Sequence, residues 1–110
     1  MAALPTVNES MFLASIIALG DDAYGVAIRE KAAELSGTKV TYGCLYSHLD
    51  QIHRKGYVVK RLGDPTAERG GRGKIFYTAT PAGLKALKSF LAVQKSIRAA
   101  LPAVVLEGKS

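Results

Sequence analysis

Apolar positions fall in short bursts separated by glycines, and the spacing within each burst changes along the chain. Phe12, Leu13, Ile16, Ile17 and Leu19 recur at helical spacing. They predict a first helix capped by Asn8 or Ser10 and stopped by Gly20. A second helix is predicted from a cap at Asp21 or Asp22 to about Leu35, with Val26, Ile28, Ala32 and Leu35 facing inward. Ser36-Gly37 ends it, because glycine takes the left-handed conformation just past a helix C-terminus. Lys39-Val40 reads as a short extended link, after which Thr41 caps a third helix, Tyr42 to Lys55, stopped by Gly56. Its apolar stripe, Leu45, Leu49 and Ile52 at i, i+4 and i+7, is narrow. The opposite side carries Gly43, Ser47, Asp50 and Arg54, flanked by Tyr46.

Beyond Gly56 the pattern becomes that of strands: Tyr57 to Arg61, then Lys74 to Thr78. Leu62 to Gly73 lies between them and contains Gly63, Pro65, Gly70, Gly71 and Gly73, a long glycine-rich hairpin with arginines at its tip. Three helices, a strand, a wing and a strand are the order of a winged helix-turn-helix, mainly α with a small β-hairpin (α+β). The last segment opens at Pro81, a residue suited to the first turn of a helix. Leu84, Leu87, Phe90, Leu91, Ile97, Leu101 and Val104 cover roughly 160° of its circumference, wider than the ~100° that one core contact requires. A second copy of the chain explains the excess, which makes Leu84, Leu87, Phe90, Leu91, Ile97 and Leu101 the expected homodimer interface. Pro102 kinks or ends this helix. The expected division is a DNA-binding unit over 1–80 with a flexible arm at 1–7, a dimerisation helix over 81–106 and a frayed tail at 107–110.

A chain of 110 residues has the length of one domain, and a core this small gains from apolar surface shared with a partner. No apolar run approaches the ~18–20 residues that span a bilayer. Met1 to Asn8 lacks the basic opening of a signal peptide, so a cytoplasmic protein is expected. The single cysteine, Cys44, excludes an intrachain disulfide and a Cys-rich zinc site. The net charge of +6 is unevenly spread: −3 over residues 1–35, +2 over 36–59, +3 over 60–74 and +4 over the remainder. Positive charge gathered beside a glycine-rich loop suits a polyanion better than a small acidic substrate.

These features converge on duplex DNA. A helix fits the major groove with its N-terminal residues toward base edges and adjacent phosphates. Thr41, Tyr42, Tyr46 and Ser47 offer hydroxyls there, Gly43 permits close backbone approach, and Arg54 adds charge near the far end. In the wing, Gly70 and Gly71 let Arg69, Arg72 and Lys74 lie along the duplex or enter the minor groove. The bland alternative is a solvated surface helix and loop.

Other constellations reduce to structural roles. Cys44 and His48 share a helical face, but His53 points about 150° away from His48, so a metal site lacks ligands. The pair also lacks an orienting carboxylate for nucleophilic work. A buried small thiol beside a packed histidine is the expected outcome. Asp21-Asp22 fits helix capping better than acid-base chemistry, and Asp64 and Glu68 fit the wing surface. The Arg69-Gly-Gly-Arg-Gly run leads into a strand, unlike a phosphate-binding loop, which leads into a helix. No catalytic residue, metal or cofactor is expected, and no membrane partner. The competing readings are a winged helix that contacts protein instead of DNA, and an enzyme using the Cys44 thiol.

With these residues in place, the chain resembles the PadR family of winged-helix regulators over roughly residues 10–100. The resemblance rests on Tyr24-Gly25-Val26-Ala27-Ile28, on Gly43 to Leu49, on Lys55-Gly56-Tyr57-Val58, and on Glu68 to Lys74 leading into Tyr77 to Gly83. It implies a dimeric repressor whose final helix crosses onto its partner, and in some members release from DNA by a small aromatic effector near the dimer interface. By position, Thr41, Tyr42, Gly43, Tyr46 and Ser47 match the reading end of the recognition helix, and Arg69, Arg72 and Lys74 the wing contacts. Val26, Cys44 and Ser47 depart from the residues common in the family, so no operator sequence carries over. The chain has no tryptophan to sandwich a planar drug. Phe90 is the aromatic expected near an effector pocket.

Overall fold

The computed structural model describes residues 4–63 and 74–106. Helix α1 (Val7–Leu19) is followed by a 3₁₀ turn over Gly20–Asp22, then α2 (Gly25–Ser36), α3 (Tyr42–Arg54), β1 (Val58–Leu62), β2 (Ile75–Ala79), α4 (Pro81–Ala100) and the short α5 (Ala103–Leu106). This is the predicted order of elements, with the strands moved one residue along.

Local chemistry sets the boundaries. Thr6, not Asn8 or Ser10, caps α1: its Oγ1 accepts from the Glu9 N–H at 3.0 Å, and Glu9 Oε1 accepts from the Thr6 N–H at 2.9 Å. Thr-x-x-Glu is a capping box, which satisfies two orphan donors reciprocally. Asp21 and Asp22 do not cap α2. They form the 3₁₀ turn, and the chain runs extended through Ala23 and Tyr24. The Tyr77 N–H donates to the Ala23 carbonyl at 2.8 Å and Tyr24 bridges to Phe76, so pairing with the outer edge of β2 delays the helix to Gly25. Gly37 ends α2 in the left-handed conformation, φ 73°, as expected.

The inward stripe of α2 is narrower than predicted. Ile28 and Ala32 are fully buried, whereas Val26 and Leu35 are exposed. With α2 beginning only at Gly25, Ile28 and Ala32, four apart, share the core face and Val26 turns away from it. On α1, Phe12, Leu13 and Ile16 are buried, and Ile17 is exposed. These side chains join Ala23, Val40, Leu45, Leu49, Ile52, Val58 and Tyr77 in one core enclosed by the first three helices and the hairpin.

β1 and β2 pair antiparallel, with Lys60 opposite Tyr77 and Leu62 opposite Ile75. The hairpin is tied to α4 at a tight joint. Thr80 caps α4, its hydroxyl donating to the Gly56 carbonyl at 2.6 Å and accepting from the Gly83 N–H at 3.1 Å. A Cβ at Gly83 would lie 2.1 Å from the Tyr57 carbonyl oxygen, so only glycine fits. Past this joint α4 leaves the body: residues 91–106 are all exposed. The radius of gyration, 16.0 Å, exceeds the ~13 Å of a compact chain this long. Pro102 interrupts the helix, with Leu101 extended before α5.

Candidate nucleic-acid interface

The third helix is held by one stripe: Leu45, Leu49 and Ile52 are buried, and Tyr42, Gly43, Tyr46 and Ser47 are exposed. Thr41 caps the helix, its Oγ1 accepting from the Cys44 N–H at 3.1 Å. That leaves its hydroxyl proton free to donate outward. A Cβ at Gly43 would meet nothing within 4 Å, so the chain's own packing does not demand a glycine there.

The tyrosines are laminated in place. The Arg29 guanidinium lies 4.2 Å from the Tyr42 ring centroid, and Tyr42 stacks on Tyr46 at 6.3 Å. Arg29 also donates to the Val40 carbonyl at 2.9 Å, tying α2 to the link that enters α3. Sequence reasoning missed Arg29, because nothing local marks a partner thirteen residues ahead.

The far end of α3 is anchored by an ion pair that was equally illegible. Glu9 is fully buried, and Lys55 Nζ donates to both of its oxygens at 3.0 and 2.7 Å. Burial opposes ionisation of Glu9. The Lys55 hydrogen bonds, the Thr6 N–H and the charges of Lys55 and His48 outweigh it and hold the carboxyl below its usual range. The adjacent Arg54 bonds Asp50, one turn earlier on the exposed face, Nε to Oδ2 2.9 Å, so its charge is partly spent within the helix. That bond, against some desolvation and with help from the charges of Arg54, Lys60 and His53, lowers the Asp50 pKa.

Cys44 and His48 meet as expected, although the thiol is half-buried where a buried one was expected: Sγ lies 3.6 Å from Nδ1, Nδ1 lies 2.8 Å from the Cys44 carbonyl, and the imidazole stacks on Phe12. Among the described residues no group of three His, Cys, Asp or Glu could hold a metal, and no helix is long and apolar enough to cross a membrane.

Arg69, Gly70, Gly71 and Arg72, with the wing-surface Asp64 and Glu68, lie outside the described residues. Lys74 lies at the base of the wing, its Nζ 4.2 Å from the Tyr24 ring centroid, and Arg61 covers Phe76 at 4.7 Å. Of these two, Lys74 shares a cleft with Tyr46 of α3.

The residues expected at a dimer interface divide in two. Leu87, Phe90 and Leu91 line a cleft of about 890 Å³ between α4, the start of α1 and the link after α2, which Met11, Leu35 and Cys44 also line. Leu84, Leu91, Ile97 and Leu101 are exposed, as are Val93 and Val104–Leu106.

A three-helix body with its third helix open to solvent, a two-stranded hairpin beside it and a projecting last helix define a winged helix-turn-helix. The profile of the transcriptional regulator PadR-like family matches residues 13–89. The chain belongs to that family, and it is a DNA-binding transcriptional regulator, not an enzyme. RosR of h. salinarum is similar at 27% identity, with 90% of this chain and 82% of that one covered and a TM-score of 0.66. A PadR family transcription regulator from Clostridium difficile shares the fold at 16% identity, covering 84% and 92%, with a TM-score of 0.70. The putative transcriptional regulator TA0346 from Thermoplasma acidophilum does so at 17% identity, covering 90% of each chain, with a TM-score of 0.71. No curated protein matches the chain in sequence.

Proposed function

We propose that the protein is a homodimeric repressor that places two copies of α3 in successive major grooves of an inverted-repeat operator. The observation that carries this reading is the one-sided burial of α3, which leaves Tyr42, Gly43, Tyr46 and Ser47 outside the body. In this reading Thr41 and these four residues read bases and adjacent phosphates. Arg54 contributes at the far end, and Arg69, Arg72 and Lys74 with Gly70 and Gly71 form the wing contact.

The apolar length of α4 supports the dimer. The twenty-residue α4, with Leu91, Ile97 and its cap Leu101 in water, would be poorly soluble alone, and a second α4 laid across them removes that surface. A regulator of this size acts most simply by occluding a promoter. A small aromatic effector fits the cleft beside Phe90, where the buried Ser10 hydroxyl lacks a hydrogen-bond partner. Its binding would shift the two reading helices and release DNA.

Selection of random duplex DNA by the purified protein at near-physiological salt tests the reading. Half-sites one turn apart, ~34–36 Å, are the expected outcome. A folded dimer that enriches no sequence would instead favour the protein-contact role.

A further inference from the structure

The cleft between α4, the start of α1 and the link after α2 carries the chain's one thiol on its wall. Cys44 is half-buried there, three residues past the Thr41 cap, so a nucleophilic sulfur sits on the recognition helix itself. Met11, Leu35, Val40 and Phe90 give the same space apolar walls, and Lys39 is the charged side chain that lines it. A thiol in such a place meets uncharged molecules with an apolar body more readily than ions, which stay in water.

His48 bears on the sulfur from its own helix. Its Nδ1 lies 2.8 Å from the Cys44 carbonyl oxygen, which only accepts, so Nδ1 carries a proton. The same N–H lies 3.6 Å from Sγ, so a donor stands beside the sulfur when it gives up its own proton.

Ser10 supplies an observation independent of the thiol. It is 2% exposed and lines this cleft, and its Oγ is buried with no hydrogen-bond partner. Buried hydroxyls ordinarily have one. Ser15, further along α1, donates to the Met11 carbonyl at 2.8 Å, a bond that Ser10 does not reproduce. A carbonyl oxygen arriving in the cleft would complete Ser10.

We propose that Cys44 covalently captures a small aromatic α,β-unsaturated carbonyl compound seated in this cleft with its carbonyl oxygen on the Ser10 hydroxyl. The proposal rests on the effector-cleft reading and deepens it from reversible occupancy to a covalent bond. Sγ bonds to the β-carbon as the carbon–carbon π bond breaks, and that electron pair moves onto the carbonyl oxygen, where Ser10 donates. The thiol proton passes to water, and water returns one to the α-carbon. The product is a saturated ketone joined to Cys44 by a thioether, and nothing is oxidised or reduced. Capture is stoichiometric, so it needs none of the acid-base machinery of an enzyme.

Intact-mass kinetics with benzylideneacetone, an aromatic enone, and with benzylacetone, its saturated analogue, test the site. The native protein should gain the mass of one enone at a rate that saturates with enone concentration. At low concentration it should react at least roughly tenfold faster than the urea-unfolded chain, because the bound enone is already positioned. Excess benzylacetone should protect the thiol, and Cys44→Ser should gain no mass. Ser10→Ala removes only an unpaired hydroxyl, so its melting temperature should hold or rise while capture slows roughly tenfold, the scale of one hydrogen bond to a charged oxygen. A rate linear in enone and no faster than in urea overturns the proposal, and so does capture of Ser10→Ala at the parental rate. Saturating amide shifts at Leu87 and Phe90 with both compounds, but no gain in mass, overturn capture and leave the effector cleft standing. Binding of neither compound removes the cleft reading and capture together.

Discussion

Helices α3 and α4 are both amphipathic, yet they stand in opposite relations to their own chain. Three apolar residues of α3 are buried to within 1% of complete, and what remains outside is hydroxyl, glycine and charge. In α4 only Gly83 is buried, and from Leu91 onward the apolar side chains themselves face water. A helix whose apolar face is already satisfied can offer its polar face to a polyanion. A helix whose apolar face is unsatisfied can only be completed by another protein surface. In the proposed dimer one fold would thus carry two interfaces of different physics: one polar and salt-sensitive, the other driven by removal of apolar area.

Charging α4 should break this comparison most severely. Leu91→Asp with Ile97→Asp should raise the dimer dissociation constant by roughly a hundredfold or more, since a buried carboxylate without a partner is strongly penalised. Sedimentation equilibrium would read it, and thermal stability of the separated monomer should change little. A dimer unaffected by both charges would mean that α4 is not the interface.

Cutting the stripe of α3 is the complementary experiment. Leu49→Ala should cost about 3 kcal/mol, from lost burial and the cavity left behind, seen as a lower denaturant midpoint. The association constant of the remaining folded protein should hold, because Leu49 lies away from α4's exposed face.

The Glu9–Lys55 pair sharpens the picture at the end of α3. Lys55→Met leaves a carboxylate buried without its cation and should cost about 2 kcal/mol, less than a fully buried pair because Lys55 is 41% exposed. Glu9 is depressed when folded, so its contribution is complete above the ordinary carboxylate pKa, about 4.3, and fades as pH falls through the lower folded value. The melting temperature should therefore drop on acidification below about pH 5. Glu9→Gln should flatten that acid limb; an unchanged limb would show that other carboxylates control it.

The smallest expected effect is at the reading end. Arg29→Met keeps much of the side-chain volume but removes the bond to Val40 and the stack on Tyr42, and should cost about 1 kcal/mol. Discrimination between operator variants should loosen more than overall affinity, measured by competition between duplexes.

Legibility in the sequence followed the range of the interactions. Helical periods and Gly37 located α2's end and the α3 stripe without help, since those signals act within a few residues. The start of α2 was misread because its determinant is β2, some fifty residues later, which draws Ala23 and Tyr24 into sheet pairing. Thr6 was legible in principle: Thr-x-x-Glu at 6–9 is a capping signature, overlooked in favour of residues closer to the apolar run. The exposed tyrosines of α3 could be listed from the wheel, but their support by Arg29 and the anchoring of Lys55 on Glu9 join distant segments and have no local trace. The breadth of the apolar arc on α4 was legible because an excess of apolar positions remains visible whatever covers it.

The tight seat of Gly83 against the Tyr57 backbone makes α4 a lever. From that fulcrum the helix runs on to Ala100, about 26 Å away. A tilt of only ~5° there would swing the free end by roughly 2–3 Å over that length. In the proposed dimer, the distance between the two reading helices is consequently geared to a joint with no room for a methyl group.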